Sequence, residues 1–200
     1  MPELAMLRRL VELCSGGLEH HEQRIGHYAF VLCHALNLDP AFGDAMRQAC
    51  SFHDVGKLVL PDAILLKPTA LTPDEWDVMC SHSQLGHEIL RHGTGAIAKL
   101  AASIALTHHE CFDGSGYPNG LRAYDIPLEG RIATVCDVYD ALREDRVYRP
   151  GLTHEHAMDV MLNGDGRTEP AQFDPQMLQA FAGQSQLYAQ MFDGHRGQLS

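Results

Sequence analysis

The chain has 200 residues, 45% of them hydrophobic, which suits one globular domain with a sizeable core. A formal charge of −11, from 15 basic and 26 acidic residues, repels a phosphate backbone, so nucleic-acid polymers and anionic membranes are disfavoured partners. No apolar run approaches the roughly 18 residues of a membrane span, and the N-terminus lacks a signal peptide's apolar centre, so a cytoplasmic protein is expected.

Taken in order, Glu3 to Cys14 has helical spacing and stops at Gly16-Gly17. Leu18 to Asn37 is a second helix with the stripe Leu18, Ile25, Ala29, Leu32 and Leu36, and His21 lies on or beside it. Pro40 to His53 reads as a third helix with Ala45, Ala49 and Phe52 inward. Val55 to Leu66 carries Gly56 and Pro61, so it is a turn with at most a short helix. Thr72-Pro73-Asp74-Glu75 is a capping box with proline at the first helical position, launching one helix through about Arg91. On it Met79, His82, Gly86 and Ile89 share a face.

Ala96 to His109 is an alanine-rich helix with Ala101, Ile104, Ala105 and His108 on one side. Glu110 to Ile126 is dense in turn formers and far longer than a median connection, which points to a functional loop. Pro127 restarts a helix through about Asp145, whose run from Ile132 to Tyr139 is apolar around Asp137. Helices near His154–Leu162 and Pro175–Met191 follow, separated by a polar loop at 163–170. With no strand alternation and no repeat, the expected fold class is an all-α, single-domain helical bundle.

Thirteen histidines direct attention to metal. Six cysteines (Cys14, Cys33, Cys50, Cys80, Cys111, Cys136) form no CxxC pair and read as free, mostly core residues. Cys111 differs, falling in a loop beside a histidine pair, where its thiol is either redox-active or incidental. Collecting inward-phased groups leaves His21, His53, Asp54, His82, His108, His109 and Asp137. Any one of them alone is as readily a hydrogen-bonded core residue, but five histidines and two aspartates converging in an apolar bundle would leave many groups unsatisfied.

Seven such ligands exceed the needs of one ion and suit two, about 3.5–4 Å apart and bridged by one carboxylate. Asp54 is the natural bridge, since its neighbour His53 can bind one ion and His82 the other. Imidazole and carboxylate without thiolate suit iron, manganese, zinc or nickel better than magnesium or calcium. Water bridging such a pair becomes a nucleophile near neutral pH. The ions would also neutralise the non-bridging oxygens of a phosphoester, and Lys57, three residues on, either reaches that phosphate or its leaving oxygen or is a solvated turn lysine.

These residues resemble the HD superfamily of metal phosphohydrolases, and the fuller pattern resembles its HD-GYP subgroup. The matching stretches are His53-Asp54-Val55-Gly56-Lys57, Leu60-Pro61-Asp62, Lys67-Pro68, Leu71-Thr72 and His108-His109-Glu110. They continue through Asp113 to Leu121, Ile126-Pro127-Leu128, Asp137 to Leu142, Arg146 to Arg149 and Phe173-Asp174-Pro175. The resemblance covers about residues 18–182, with 1–17 as an N-terminal helix or extension and 183–200 as a helix end and tail.

It implies a metal-dependent phosphodiesterase that hydrolyses the bacterial second messenger cyclic di-GMP to pGpG, or on to GMP, with iron or manganese first among the metals. By that resemblance His53, Asp54, His82, His108, His109 and Asp137 are ligands, His21 joins them, and Lys57 lies beside the scissile phosphate. Gly116-Tyr117-Pro118 would border the substrate, and Arg146 and Arg149 match basic residues near substrate phosphates, or are plain helix C-terminal charges. Some members hold a third metal with a Glu four residues before the histidine matching His21. Here that position is Gly17, so two metals are expected.

Family members commonly carry a sensor or receiver domain in front, and its absence here is read as a stand-alone domain or an excised piece. Alternatives are a phosphohydrolase of pGpG or a hybrid cyclic GMP-AMP dinucleotide, and a module whose Gly-Tyr-Pro loop binds a partner such as a diguanylate cyclase. Assembly as a homodimer is compatible with each.

Overall fold

In the computed structural model, which describes residues 19–145 and 150–196, Ile25, Tyr28, Ala29 and Leu32 are fully buried along one face of α1 (Glu19–Ala35). Their three- and four-residue spacing is what makes this helix a core element. The helix expected over Glu3–Cys14, with Gly17, Leu18, Arg146 and Arg149, lies outside the described residues. Asp39 caps α2 (Pro40–Ala49) by accepting from the Ala41 N–H at 2.8 Å.

The third helix is shorter than its expected end at His53. Cys50–Phe52 tighten into a 3₁₀ turn in which the His53 N–H reaches the Cys50 carbonyl at 3.2 Å. Within α2 it is Met46, with Gly43 and Ala49, that is buried, whereas Ala45 is half-buried at the edge of that face. A second 3₁₀ turn (Val55–Val59) and a single-turn α3 (Asp62–Leu65) occupy the stretch expected to be turn.

The capping box at Thr72 and Glu75 is present, but the single helix expected through Arg91 is two, α4 (Pro73–Cys80) and α5 (His82–Leu90). The side chains at the break compete with the helix ladder for its carbonyls. Ser81 Oγ donates to the Val78 carbonyl at 2.6 Å, and His82 Nδ1 to that of Met79 at 2.7 Å.

Helices α6 (Ala96–Thr107) and α7 (Leu128–Arg143) complete the centre: α1 packs on α2 and α7, and α6 packs on α2, α5 and α7. Small residues Ala101, Ala102 and Ala105 let α6 approach its neighbours closely. At the far end α8 (His154–Asn163), α9 (Pro175–Gly183) and α10 (Ser185–Arg196) close the core. The single helix expected over Pro175–Met191 is again two. A straight helix would hold Phe181 and Tyr188 about 10 Å apart along its axis. The break at Gln184 folds them into a stack with centroids 3.9 Å apart.

Among the described residues there is no strand, and no helix is long and apolar enough to cross a membrane. Cys33, Cys50, Cys80, Cys111 and Cys136 are free thiols, as their scattered spacing led us to expect.

Candidate metal centre

Separate segments deliver imidazoles and carboxylates to one point. His21 comes from the first turns of α1, and His53 with Asp54 from the turn after α2. His82 opens α5, His108 and His109 follow the end of α6, and Asp137 comes from the middle of α7. Gly56 makes this convergence feasible. A Cβ there would overlap the His82 carbonyl and the Gly86 amide nitrogen, so only glycine lets the 53–57 turn lie flat on α5.

The tautomers follow from what backs each ring. Nδ1 of His53 lies 2.8 Å from the Cys50 carbonyl, and that of His82 lies 2.7 Å from Met79's. Nδ1 of His108 lies 3.0 Å from the Ala105 carbonyl, and that of His21 lies 2.7 Å from Asp140 Oδ2. Carbonyls and carboxylates only accept, so each Nδ1 carries a proton, and each Nε2 faces inward to offer its lone pair whenever the ring is neutral.

Those lone pairs converge in two places. Nε2 of His21 and Nε2 of His53 are 3.3 Å apart, with Asp137 Oδ1 at 3.5 Å from the first and 3.8 Å from the second. Nε2 of His82 and Nε2 of His108 are also 3.3 Å apart. Asp54 divides its oxygens between the two places. Oδ2 lies 3.4 Å from His53, whereas Oδ1 lies 3.3 Å from His82 and 3.6 Å from His108. Asp54, His82, His108 and His109 can each offer one ligand atom with all four within 4.8 Å of one another, and so can His21, His53 and Asp54.

Both clusters are able to hold a metal ion, and two observations fit such an occupant. Asp54 Oδ1 is buried with no hydrogen-bond partner, a state that costs free energy unless a cation satisfies it. The donor set is imidazole and carboxylate without thiolate, the chemistry of first-row divalent ions.

Electrostatics separate the clusters. Burial alone would lower His53, but Asp54 and Asp137 outweigh it and raise its pKa to about 9. His21 is likewise raised, burial being overcome by its bond to Asp140. His108 and His109 go the other way, pushed down by burial and by neighbouring imidazoles. Burial works to raise Asp54, yet Lys57, His53 and His108 hold it well below the usual carboxylate range. Lys57 Nζ contacts Asp54 Oδ2 at 2.5 Å from a side chain about a third exposed.

The Gly116-Tyr117-Pro118 loop roofs the second cluster. Its anchor is Glu110, 1% exposed, which accepts from the backbone N–H groups of Asn119 at 2.8 Å and Leu121 at 2.9 Å. Gly116 passes so near the backbone of residues 109–111 that a side chain there would overlap it. The Tyr117 N–H donates to the His109 carbonyl at 3.1 Å, and its ring lies 4.7 Å from the His109 ring.

The HD domain family model matches residues 5–176. The chain belongs to the HD domain family. This HD domain is 39% identical over 185 residues to the cyclic di-GMP phosphodiesterase response regulator RpfG of Xanthomonas campestris, a match covering 92% of this chain and 48% of that protein. It is also 39% identical over 173 residues to the 3'3'-cGAMP-specific phosphodiesterase 2 of Vibrio cholerae, covering 86% of this chain and 32% of that one. It thus spans about half or less of the length of these relatives. Among solved structures it resembles Bd1817, a HDG"Y"P protein from Bdellovibrio bacteriovorus, with a TM-score of 0.63. At 16% identity, over 90% of this chain and 61% of that one, the likeness speaks for the fold.

The seven inward-phased histidines and aspartates of this HD domain do meet in one place, but their spacing does not reveal what holds them there. Asp140, fully buried, receives His21 on Oδ2 and a two-pronged Arg24 guanidinium at 2.7 and 2.6 Å. Arg24 also reaches Glu144 at 3.0 Å, so the carboxylates beside His21 already have a cation of their own. One signal was present. Arg24 follows His21 by three residues and Asp140 follows Asp137 by three, placing charge on two inward faces. Glu110 had only its adjacency to His108-His109 to recommend it.

Proposed function

We propose that this HD domain hydrolyses cyclic di-GMP to the linear dinucleotide pGpG. The observation that carries the reading is the division of Asp54, one oxygen toward His53 and the other, unpartnered, toward His82 and His108. His21, His53, Asp54 and Asp137 would hold one divalent ion, and Asp54, His82, His108 and His109 the other. Iron or manganese is the expected pair, ahead of zinc or nickel. When bound, the ions supply positive charge for the phosphodiester oxygens and acidify a water nucleophile.

The chain's own residues do the rest. The backbone carbonyls behind His53, His82 and His108, and Asp140 behind His21, keep every Nε2 aimed inward, the nitrogen that each neutral ring would offer to an ion. Lys57 is the flexible cation beside Asp54 that can turn to a non-bridging oxygen or give a proton to the departing one. Tyr117 and its loop shield the second cluster from bulk water. Arg146 and Arg149, as further phosphate contacts, and residues 18–182 as the catalytic unit belong to the same proposal. A cytoplasmic setting suits this substrate.

Two relatives of equal identity to this chain carry different substrates in their names, cyclic di-GMP and 3'3'-cGAMP, so hydrolysis of the hybrid dinucleotide is the second reading. Chromatography of products from a panel of cyclic di-GMP, 3'3'-cGAMP and pGpG, with anaerobically loaded iron or manganese, decides. Cyclic di-GMP should be turned over fastest and stop at pGpG, and absence of its turnover sinks the leading reading. Binding of a diguanylate cyclase through the Gly-Tyr-Pro loop is a separate property, which Asp54→Ala should spare while hydrolysis is lost.

A further inference from the structure

Trp76 is the chain's single tryptophan, and α4 leaves its side chain half exposed. Tyr28, Tyr139, Phe181 and Tyr188 are fully buried while Trp76 and Tyr124 stand open, and of these two it is the indole whose ring adjoins Tyr117. Its ring centroid lies 6.3 Å from that of Tyr117 at an interplanar angle of 79°, so the two rings form perpendicular walls of a corner rather than a stack. Tyr117 in turn lies 4.7 Å from His109 and 6.3 Å from His82, and its hydroxyl pairs with Cys80, one turn after Trp76 on α4. The corner therefore adjoins the second ligand cluster.

The helix that presents the indole is pinned. The Thr72–Glu75 capping box closes its N-terminus, and Lys67 pairs with Glu75 at 2.5 Å.

We propose that Trp76 and Tyr117 form a purine-base subsite of the metal centre, with the base stacked on the indole. This rests on the reading that the substrate is a cyclic dinucleotide. A phosphodiester held at Asp54 and His109 has its base one sugar away, and Trp76 is one ring beyond the tyrosine that touches His109. Stacking also suits this chain electrostatically. A protein of net charge −11 repels a cyclic dinucleotide's two phosphates at long range, and base–aromatic contact supplies affinity that this field does not oppose.

The test compares wild type, Trp76→Ala and Trp76→Phe as metal-loaded proteins. Trp76→Ala should raise KM for cyclic di-GMP about tenfold with kcat within about twofold, and Trp76→Phe should recover most of the loss. Turnover of methyl 4-nitrophenyl phosphate, which has no base, should be unchanged by either. In the wild type, GMP should quench the single tryptophan's fluorescence and ribose 5-phosphate should not. A wild type that cleaves cyclic di-GMP while Trp76→Ala keeps its KM overturns this inference alone. A wild type that cleaves the small diester but no cyclic dinucleotide overturns the functional reading and the subsite together.

Discussion

The two halves of the metal centre use the same ligand chemistry with different backing. Around His21 and His53 the supports are charged: Asp140 holds His21, Arg24 holds Asp140, and Asp137 stands close to both rings. Around His82, His108 and His109 they are neutral carbonyls and packed helix surface. The first half draws protons, with His53 raised to about 9, whereas His108 and His109 resist them. On the two-ion proposal, an ion entering the first half would compete with a proton at His53, and one entering the second would meet less competition at His108 and His109. Asp54 joins the two.

Removing that joint is the strongest way to break the comparison. Asp54→Ala should lower hydrolysis by more than about a thousandfold and cost both halves their metal, read by turnover and elemental analysis. Retention of two ions per chain would mean that Asp54 does not bridge.

Arg24→Met should break only the charged half. It leaves Asp140 buried without its main counter-ion, at about 3–5 kcal/mol of stability. Manganese affinity at the His21–His53 half should fall about 10- to 100-fold. Calorimetric titration should then show one weakened site and one unchanged, and equal weakening of both would refute the separation.

Gly56→Ala attacks the neutral half through its backbone contact. The added methyl has to push against the His82 carbonyl, so a loss of about 1–3 kcal/mol in denaturant unfolding is expected, with His82-side metal affinity reduced.

The smallest effect is on pH dependence in the metal-free protein. The depressed His108 and His109 contribute stability above about pH 6.5, their unfolded value, and lose it as pH falls through the folded one. The raised His53 contributes fully below about 6.5 and loses its part as pH rises through about 9. Melting temperatures of EDTA-treated protein should therefore drop on both flanks, and added manganese should flatten the alkaline one. A melting temperature that climbs steadily above pH 8 would contradict the assignment.

Much of this centre was legible from residue types and phase. His21, His53, Asp54, His82, His108, His109 and Asp137 all lie in it, because each stood on an otherwise apolar helix face or beside a helix end. What failed to show was the support. Arg24 and Asp140 are 116 residues apart, and no local periodicity encodes such a pairing. The breaks at Ser81 and Gln184 were also hidden, because both segments have sound helical patterning and only side-chain competition or tertiary stacking interrupts them.

By itself the sequence determined most of the helical segments among the described residues, though not their breaks, together with the long Gly-Tyr-Pro loop and the residues that meet at the candidate metal centre, since these follow from spacing and from the cost of burying unpaired polar groups. The tertiary structure alone decided which oxygen of Asp54 serves which histidines, and that a charged pair backs one half and backbone the other. It also placed an open indole at the rim. Those are matters of direction and distance between segments far apart in the chain, and they exist only once the helices have packed.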